Sequence, residues 1–186
     1  MSTAIRTRPF TVEEFRRIGE AGILTEDDRV ELIHGEIIPM TPIGPRHAAC
    51  VNALTRMFIQ RVRPEVIVHI QNPLQLDRHT EVYPDLVVLR PRPDRYQEKI
   101  PEPDGVLLLI EVADTTLAKD QTEKLPHYAQ VGVPEIWIID VVKKEIMAHW
   151  DPSGQHYKNT SSSVHSTPMT SHSLLDLTIT ADEIFS

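Results

Sequence analysis

The run Val106-Leu107-Leu108-Leu109-Ile110, unbroken by any polar side chain and followed at once by Glu111-Val112-Ala113, constrains the fold more than any other segment of this chain. It has strand length, and an apolar stretch that does not alternate is covered on both faces, so it belongs at the centre of a sheet with layers on either side. A carboxylate at the end of such a run needs a metal, a cation or solvent, because burying it alone is costly. A helical pattern follows from Asp120 to Val131, closed by Gly132, and then a second apolar strand from Pro134 to Val141. Strand, helix and strand in that order make a crossover unit with parallel strands. Pro126 requires the helix to start near Thr122 or to kink.

The remaining segments extend this core. Thr11 with Glu14 three residues later forms a capping box that opens a short helix running to about Gly19. Val30–Ile33 and Glu36–Met40 flank His34-Gly35, the pattern of a tight hairpin. From His47 to Val62 the apolar residues Val51, Leu54, Phe58 and Val62 recur at helical spacing. Strands are expected at Val66–Ile70, Pro73–Leu76 and Val82–Leu89, and Glu145–Trp150 pairs with the strand before it across Lys143-Lys144. Pro91, Pro93, Pro101, Pro103 and Gly105 make residues 91–105 a surface loop. Serine, threonine and histidine dominate Asp151 to Ser173, which reads as an exposed loop or weak hairpin, and Leu174 to Phe185 supplies a final apolar anchor.

Length and composition narrow the class. The 186 residues suit one domain with a real core, and 40% hydrophobic with 25% charged residues exclude a disordered chain. No apolar run approaches the roughly 20 residues needed to span a bilayer, and Met1 to Pro9 does not read as a signal peptide, so no membrane association and a cytoplasmic location are expected. The single cysteine, Cys50, excludes an intrachain disulfide and cysteine zinc sites. Neither a glycine-rich phosphate loop nor a Gly-x-Ser-x-Gly turn is present, which argues against P-loop nucleotide hydrolases and serine esterases. The net charge of −8 sets the chain, on average, against nucleic-acid phosphates. The basic residues are nonetheless unevenly spread, with Arg56, Arg61 and Arg63 in one cluster and Arg90, Arg92 and Arg95 in another.

Three residues carry the chemistry: Asp85 after Pro84, Glu111 at the end of the apolar strand, and Lys124 on the following helix. Hydrolysis of a phosphodiester needs an activated water, charge stabilisation on the phosphoryl oxygens and a proton for the departing oxygen. Mg2+ or Mn2+ supplies much of this, and two carboxylates with a main-chain carbonyl, here that of Val112, are sufficient protein ligands. A nearby lysine orients or helps to deprotonate the attacking water. Glu36, beside Gly35, is a candidate auxiliary acid, and His47, which opens a helix, is a further candidate whose plainer role is to start that helix or face solvent. Asp120, Lys124 and Tyr128 are spaced four apart and share one face of an unbroken helix. Each has a plainer reading: an acid after proline caps a turn, a helix lysine pairs with Asp120 or Glu123, a hairpin acid faces solvent, and a tyrosine packs.

Val30-Glu31-Leu32-Ile33-His34-Gly35-Glu36-Ile37, His47, Tyr83-Pro84-Asp85-Leu86-Val87-Val88, Leu109-Ile110-Glu111-Val112, Asp120, Lys124 with Tyr128, and Gly132-Val133-Pro134-Glu135-Ile136-Trp137 occur in an order that resembles the PD-(D/E)xK restriction-endonuclease-like superfamily and, more closely, its Uma family. The resemblance spans about residues 10–185. It implies one restriction-endonuclease-like α/β domain over residues 1–186, a mixed central β-sheet flanked by α-helices with an N-terminal helix and β-hairpin, and a metal site at one sheet edge. It also implies Asp85 and Glu111 as metal ligands. Ala113 stands where the superfamily's lysine normally lies, and in the Uma pattern that role moves to the next helix, matching Lys124. The function so implied is a metal-dependent endonuclease acting on DNA. A catalytically inactive nucleic-acid-binding or protein-interaction module of the same fold is the alternative. By analogy with nucleases that cut both strands, a homodimer is expected, with Trp150 or residues 151–173 at its interface.

Overall fold

The structure, a computed structural model, describes residues 8–25, 27–115, 117 and 120–186. Its centre is a six-stranded mixed sheet built from β3 (Ile67–Ile70), β6 (Leu86–Leu89), β7 (Val106–Ala113), β8 (Glu135–Asp140), β9 (Glu145–Ser153) and β10 (His156–Val164), in the order β10-β9-β8-β7-β6-β3. The apolar run forms β7, buried along its whole length, with β6 antiparallel on one side and β8 parallel on the other.

A second sheet of four strands carries β1 (Val30–Ile33), β2 (Glu36–Pro39), β4 (Leu74–Asp77) and β5 (Thr80–Val82), in the order β2-β1-β5-β4. The β1–β2 turn places His34 at φ 52° and Gly35 at φ 80°, the double left-handed conformation of a tight hairpin. Gly35 also lets its backbone approach the chain from below, with its carbonyl accepting from Phe10 N–H at 2.9 Å. A Cβ there would collide with Pro9, so a larger residue is excluded twice over. The short α1 (Val12–Glu20) is closed by the expected capping box between Thr11 and Glu14.

Each face of the six-stranded sheet is covered. Cys50, Val51, Leu54, Met57 and Phe58 of α2 (Pro45–Arg61) pack on one face around Trp137, joined by α4 (Ala181–Phe185) and its Ile184. On the other face Leu109 and Ile136 meet Leu74 and Val82 of the small sheet and Tyr128 of α3 (Leu125–Gln130).

Two expectations need correction. Val82–Leu89 is not one strand: Thr80–Val82 belongs to the small sheet and Leu86–Leu89 to the large one, divided at Tyr83-Pro84-Asp85. Pro84 cannot donate to a ladder, and the chain changes sheets there. For residues 151–173 the structure discards the exposed loop and keeps the hairpin alternative, in a form longer than a weak hairpin. These residues hold the end of β9, all of β10, which is nine residues long and paired to β9 from end to end except at Lys158, and β11 (Pro168–Thr170), which pairs with β12 (Thr178–Thr180). Their polarity reflects an exposed edge strand rather than missing structure. The helix after β7 also departs from a regular path. Residues Asp120–Lys124 form a wider π-helical turn that passes into α3 just before Pro126.

Candidate active site

Strand register sets two acids side by side. Leu86 pairs with Ile110, so one step further along the antiparallel ladder Asp85 falls opposite Glu111. Ile110 and Val112 point into the core under α2, and alternation therefore turns Glu111 to the opposite face with Leu109 and Tyr128. Val112 N–H donates to Asp85 Oδ2 at 2.9 Å and locks the pair together.

Asp85 is held from three sides. Besides Val112, its Oδ2 lies 3.1 Å from His47 Nε2, in the first turn of α2, and its Oδ1 accepts from Gln71 Nε2 at 3.1 Å. The hydrogen bond to Asp85 raises the His47 pKa above the usual histidine value; burial opposes this, and the charges of Asp85, Glu111 and Asp114 add to it.

Glu111 is 5% exposed, and among the described residues both of its hydrogen-bond donors converge on Oε1: Tyr128 Oη at 2.6 Å and Lys124 Nζ at 3.3 Å. Burial pushes its pKa up to about 8, Lys124 pulls it back, and Asp120, Asp85 and Glu31 push it further up. Burial above all, with Glu111 and Glu31 beside it, also lifts the Tyr128 phenol well above its ordinary value, so it serves as a neutral donor. For Lys124, burial favours loss of the proton, but Glu111, Glu31 and Asp120 outweigh it and the pKa is raised. Its Nζ is also 3.2 Å from Glu31 Oε1, which in turn accepts from Tyr83 N–H at 3.0 Å.

These groups line one cleft whose walls carry five carboxylates, from Glu31, Asp85, Glu111, Asp114 and Asp120, against Lys124, Arg29 and His47. Arg46 lies 2.7 Å from Asp114 at the rim. Asp85, Glu111, Val112, Lys124 and His47 thus meet in one place, and Tyr128 reaches it through Glu111.

Glu36 does not. It shares a face of the hairpin with Glu31, but β2 is the edge strand, so Glu36 is exposed beside the turn while Glu31, on the inner strand, is buried against Lys124. Glu31 is the acid that sequence reasoning missed. The available signal was an acid set among Val30, Leu32 and Ile33, although strand alternation alone cannot separate two acids on one face. Half of the arginines in the two clusters are paired with neighbouring carboxylates: Arg61 with Glu183 at 2.6 Å, Arg63 with Glu65 at 3.7 Å, and Arg92 with Asp94 at 2.7 Å.

Among the described residues, no three His, Cys, Asp or Glu side chains are grouped as a metal cage. Two adjacent carboxylates in an acid-rich cleft, one of them penalised by burial, fit instead a hard oxygen-seeking cation that keeps most of its own water.

A mixed sheet flanked by helices, with paired acids at the end of its central strand, is the restriction-endonuclease-like α/β fold. The chain belongs to the Uma2 family, described as "Putative restriction endonuclease", which it matches over residues 12–182. Among solved structures, the crystal structure of "a putative nuclease belonging to DUF820" from Anabaena variabilis ATCC 29413 is similar, with a TM-score of 0.72 and 17% identity over 95% of this chain and 98% of that one. No curated protein matches the chain. Also among the described residues, no helix is long and apolar enough to cross a membrane.

Proposed function

We propose that this protein is a nuclease that hydrolyses phosphodiester bonds in DNA with the help of Mg2+ or Mn2+. The observation that carries the reading is the convergence of Asp85, Glu111 and Lys124, with Lys124 Nζ 3.3 Å from Glu111 Oε1 in an open acidic cleft. Asp85 and Glu111 would hold the ion, together with the main-chain carbonyl of Val112. When bound, such an ion supplies positive charge to the phosphoryl oxygens and makes a coordinated water more acidic.

The chain's own groups do the rest. Val112 N–H, His47 and Gln71 fix the plane of the Asp85 carboxylate, so it need not reorganise during reaction. Lys124, anchored by Glu31 on one side and Glu111 on the other, keeps its proton and orients the attacking water or a phosphoryl oxygen by hydrogen bonding. Glu31 thereby takes the auxiliary place that sequence reasoning gave to Glu36, acting through Lys124 as a positioning residue.

Purified protein incubated with supercoiled plasmid and Mg2+ or Mn2+ should nick or linearise it, whereas Asp85→Ala and Lys124→Met should not. Equal cutting by wild type and Asp85→Ala would overturn the reading. The net charge of −8 and the paired arginines favour the second reading, a nucleic-acid-binding or protein-interaction module without catalysis, and within it the protein-interaction form. No cutting in either metal by correctly folded protein would favour that alternative, with retained nucleic-acid binding pointing to its first form and none to its second.

A further inference from the structure

The acidic cleft does not end at Tyr83. It continues into a second groove between α1 and the hairpin, and the two share Arg29, Met40, Ile43, Gln71 and Tyr83 as lining residues. The groove's own walls combine apolar side chains, Phe15, Leu24 and Val30, with Thr25, Glu20, Asp28 and the ion-paired Arg16 and Glu81; Asp28 accepts from the backbone and side chain of Thr25. Ile43, at the junction, is one of the few large apolar side chains left substantially exposed. Arg29 stands at the same junction, exposed and without an ion pair among the described residues, in contrast to the arginines of both sequence clusters that are tied to carboxylates.

We infer that this groove receives a nucleobase of a single-stranded substrate, with Arg29 contacting the phosphate that joins that nucleotide to the scissile position. The inference rests on the nuclease reading of the adjoining cleft and names its substrate class. A nucleobase has apolar faces and a polar edge, and so matches a groove in which Phe15, Leu24 and Val30 stand beside hydrogen-bonding groups such as Thr25 and Glu20. Continuity with the cleft puts the base next to the reacting phosphate, and Arg29, among the described arginines and lysines lining the two grooves the one without an ion pair, lies at the junction where the connecting phosphate would pass. A duplex cannot offer a base to a side groove without unstacking it, whereas a single strand can. An acidic protein also has little charge with which to hold the denser phosphates of a duplex.

Gly19 provides the test. It lines the groove from α1, has ordinary helical geometry, and an added Cβ would meet nothing within 4 Å, so Gly19→Phe should fill the groove while leaving the fold intact. Binding of a fluorescent single-stranded octanucleotide is measured by anisotropy, with Ca2+ replacing Mg2+, beside a blunt duplex of the same sequence. Wild type should prefer the single strand at least tenfold, and Gly19→Phe should lose about tenfold of that affinity with its melting temperature and its hydrolysis of bis(p-nitrophenyl) phosphate unchanged. Arg29→Ala, a change at an exposed position, should also weaken binding and reduce the slope of log K against log salt by ~0.7. Wild-type affinity in Gly19→Phe, equal affinity for the duplex, or no binding of either strand would overturn the inference. Groove-dependent binding without cutting in Mg2+ or Mn2+ would uphold it and overturn the nuclease reading; cutting that ignores Gly19→Phe would do the reverse.

Discussion

Glu111 and Glu135 lie on the parallel strands β7 and β8, both almost wholly buried, and yet they sit in opposite electrostatic settings. Glu135, at the start of β8, accepts four hydrogen bonds spread over both oxygens: from Trp137 Nε1, Ser171 Oγ and the backbone N–H groups of His172 and Ser173, at 2.7 to 3.1 Å. These neutral donors replace the lost hydration and fasten the segment after β11 to the central sheet. Glu111, near the end of β7, has two donors on one oxygen and acidic neighbours, and its pKa rises to about 8. The pair teaches that the charge around a buried carboxylate, as well as its donors, separates a structural acid from a candidate cation ligand: Asp85 also accepts three hydrogen bonds, but in a cleft with four other carboxylates.

The largest test of that contrast is Glu135→Ala. Removing the carboxylate leaves buried donors without an acceptor, and the expected loss is about 3–5 kcal/mol in chemical denaturation, the same with EDTA or Mg2+. A loss under ~1 kcal/mol would break the comparison from the structural side.

Glu111→Gln should act in the other direction. The folded-state pKa of Glu111 lies above its ordinary value of 4.5, so between pH 4.5 and about 8 the unfolded chain releases a proton that the folded chain retains. Stability therefore falls as pH rises through that window, and the penalty is greatest above pH 8. In EDTA the substitution should stabilise the protein by roughly 1–3 kcal/mol at pH 8 and by nothing below pH 4.5, because the neutral amide escapes the cost of burying charge. The same variant should lose nuclease activity. Destabilisation at pH 8 would show that the Lys124 pair outweighs burial.

The smallest effect sharpens the contrast. At ten times its dissociation constant a bound cation adds about 1.4 kcal/mol of stability. Mg2+ or Mn2+ should raise the melting temperature of wild type and of Glu135→Gln but not of Glu111→Gln. An equal rise in all three would place the cation elsewhere.

Much of this architecture was legible in the sequence. The apolar run announced the central strand, the crossover order announced a parallel neighbour, and Thr11 with Glu14 announced α1, because each rests on local periodicity or capping. The edge strand β10 stood only as an alternative to a loop because an exposed, serine-rich strand has the composition of a loop. The break at Pro84 was hidden because the residues on both sides favour strands, and only pairing reveals that they belong to different sheets.

For the candidate site, the residues on or beside β6 and β7 and on the following helix were readable as acids and a lysine at the ends of apolar segments. The choice between Glu31 and Glu36 was not. Both lie on one face of one hairpin, and their fates diverge because β1 pairs with β5 while β2 has no further neighbour among the described residues.

The sequence by itself determined which segments become strands and helices and which of them end in chemically active groups, since hydrophobic period, proline and capping act within a few residues. Only the tertiary structure decided which of those groups meet, which buried acid is saturated and which is left under strain of charge. Those outcomes depend on sheet order and on donors brought from distant parts of the chain, and no local pattern encodes either.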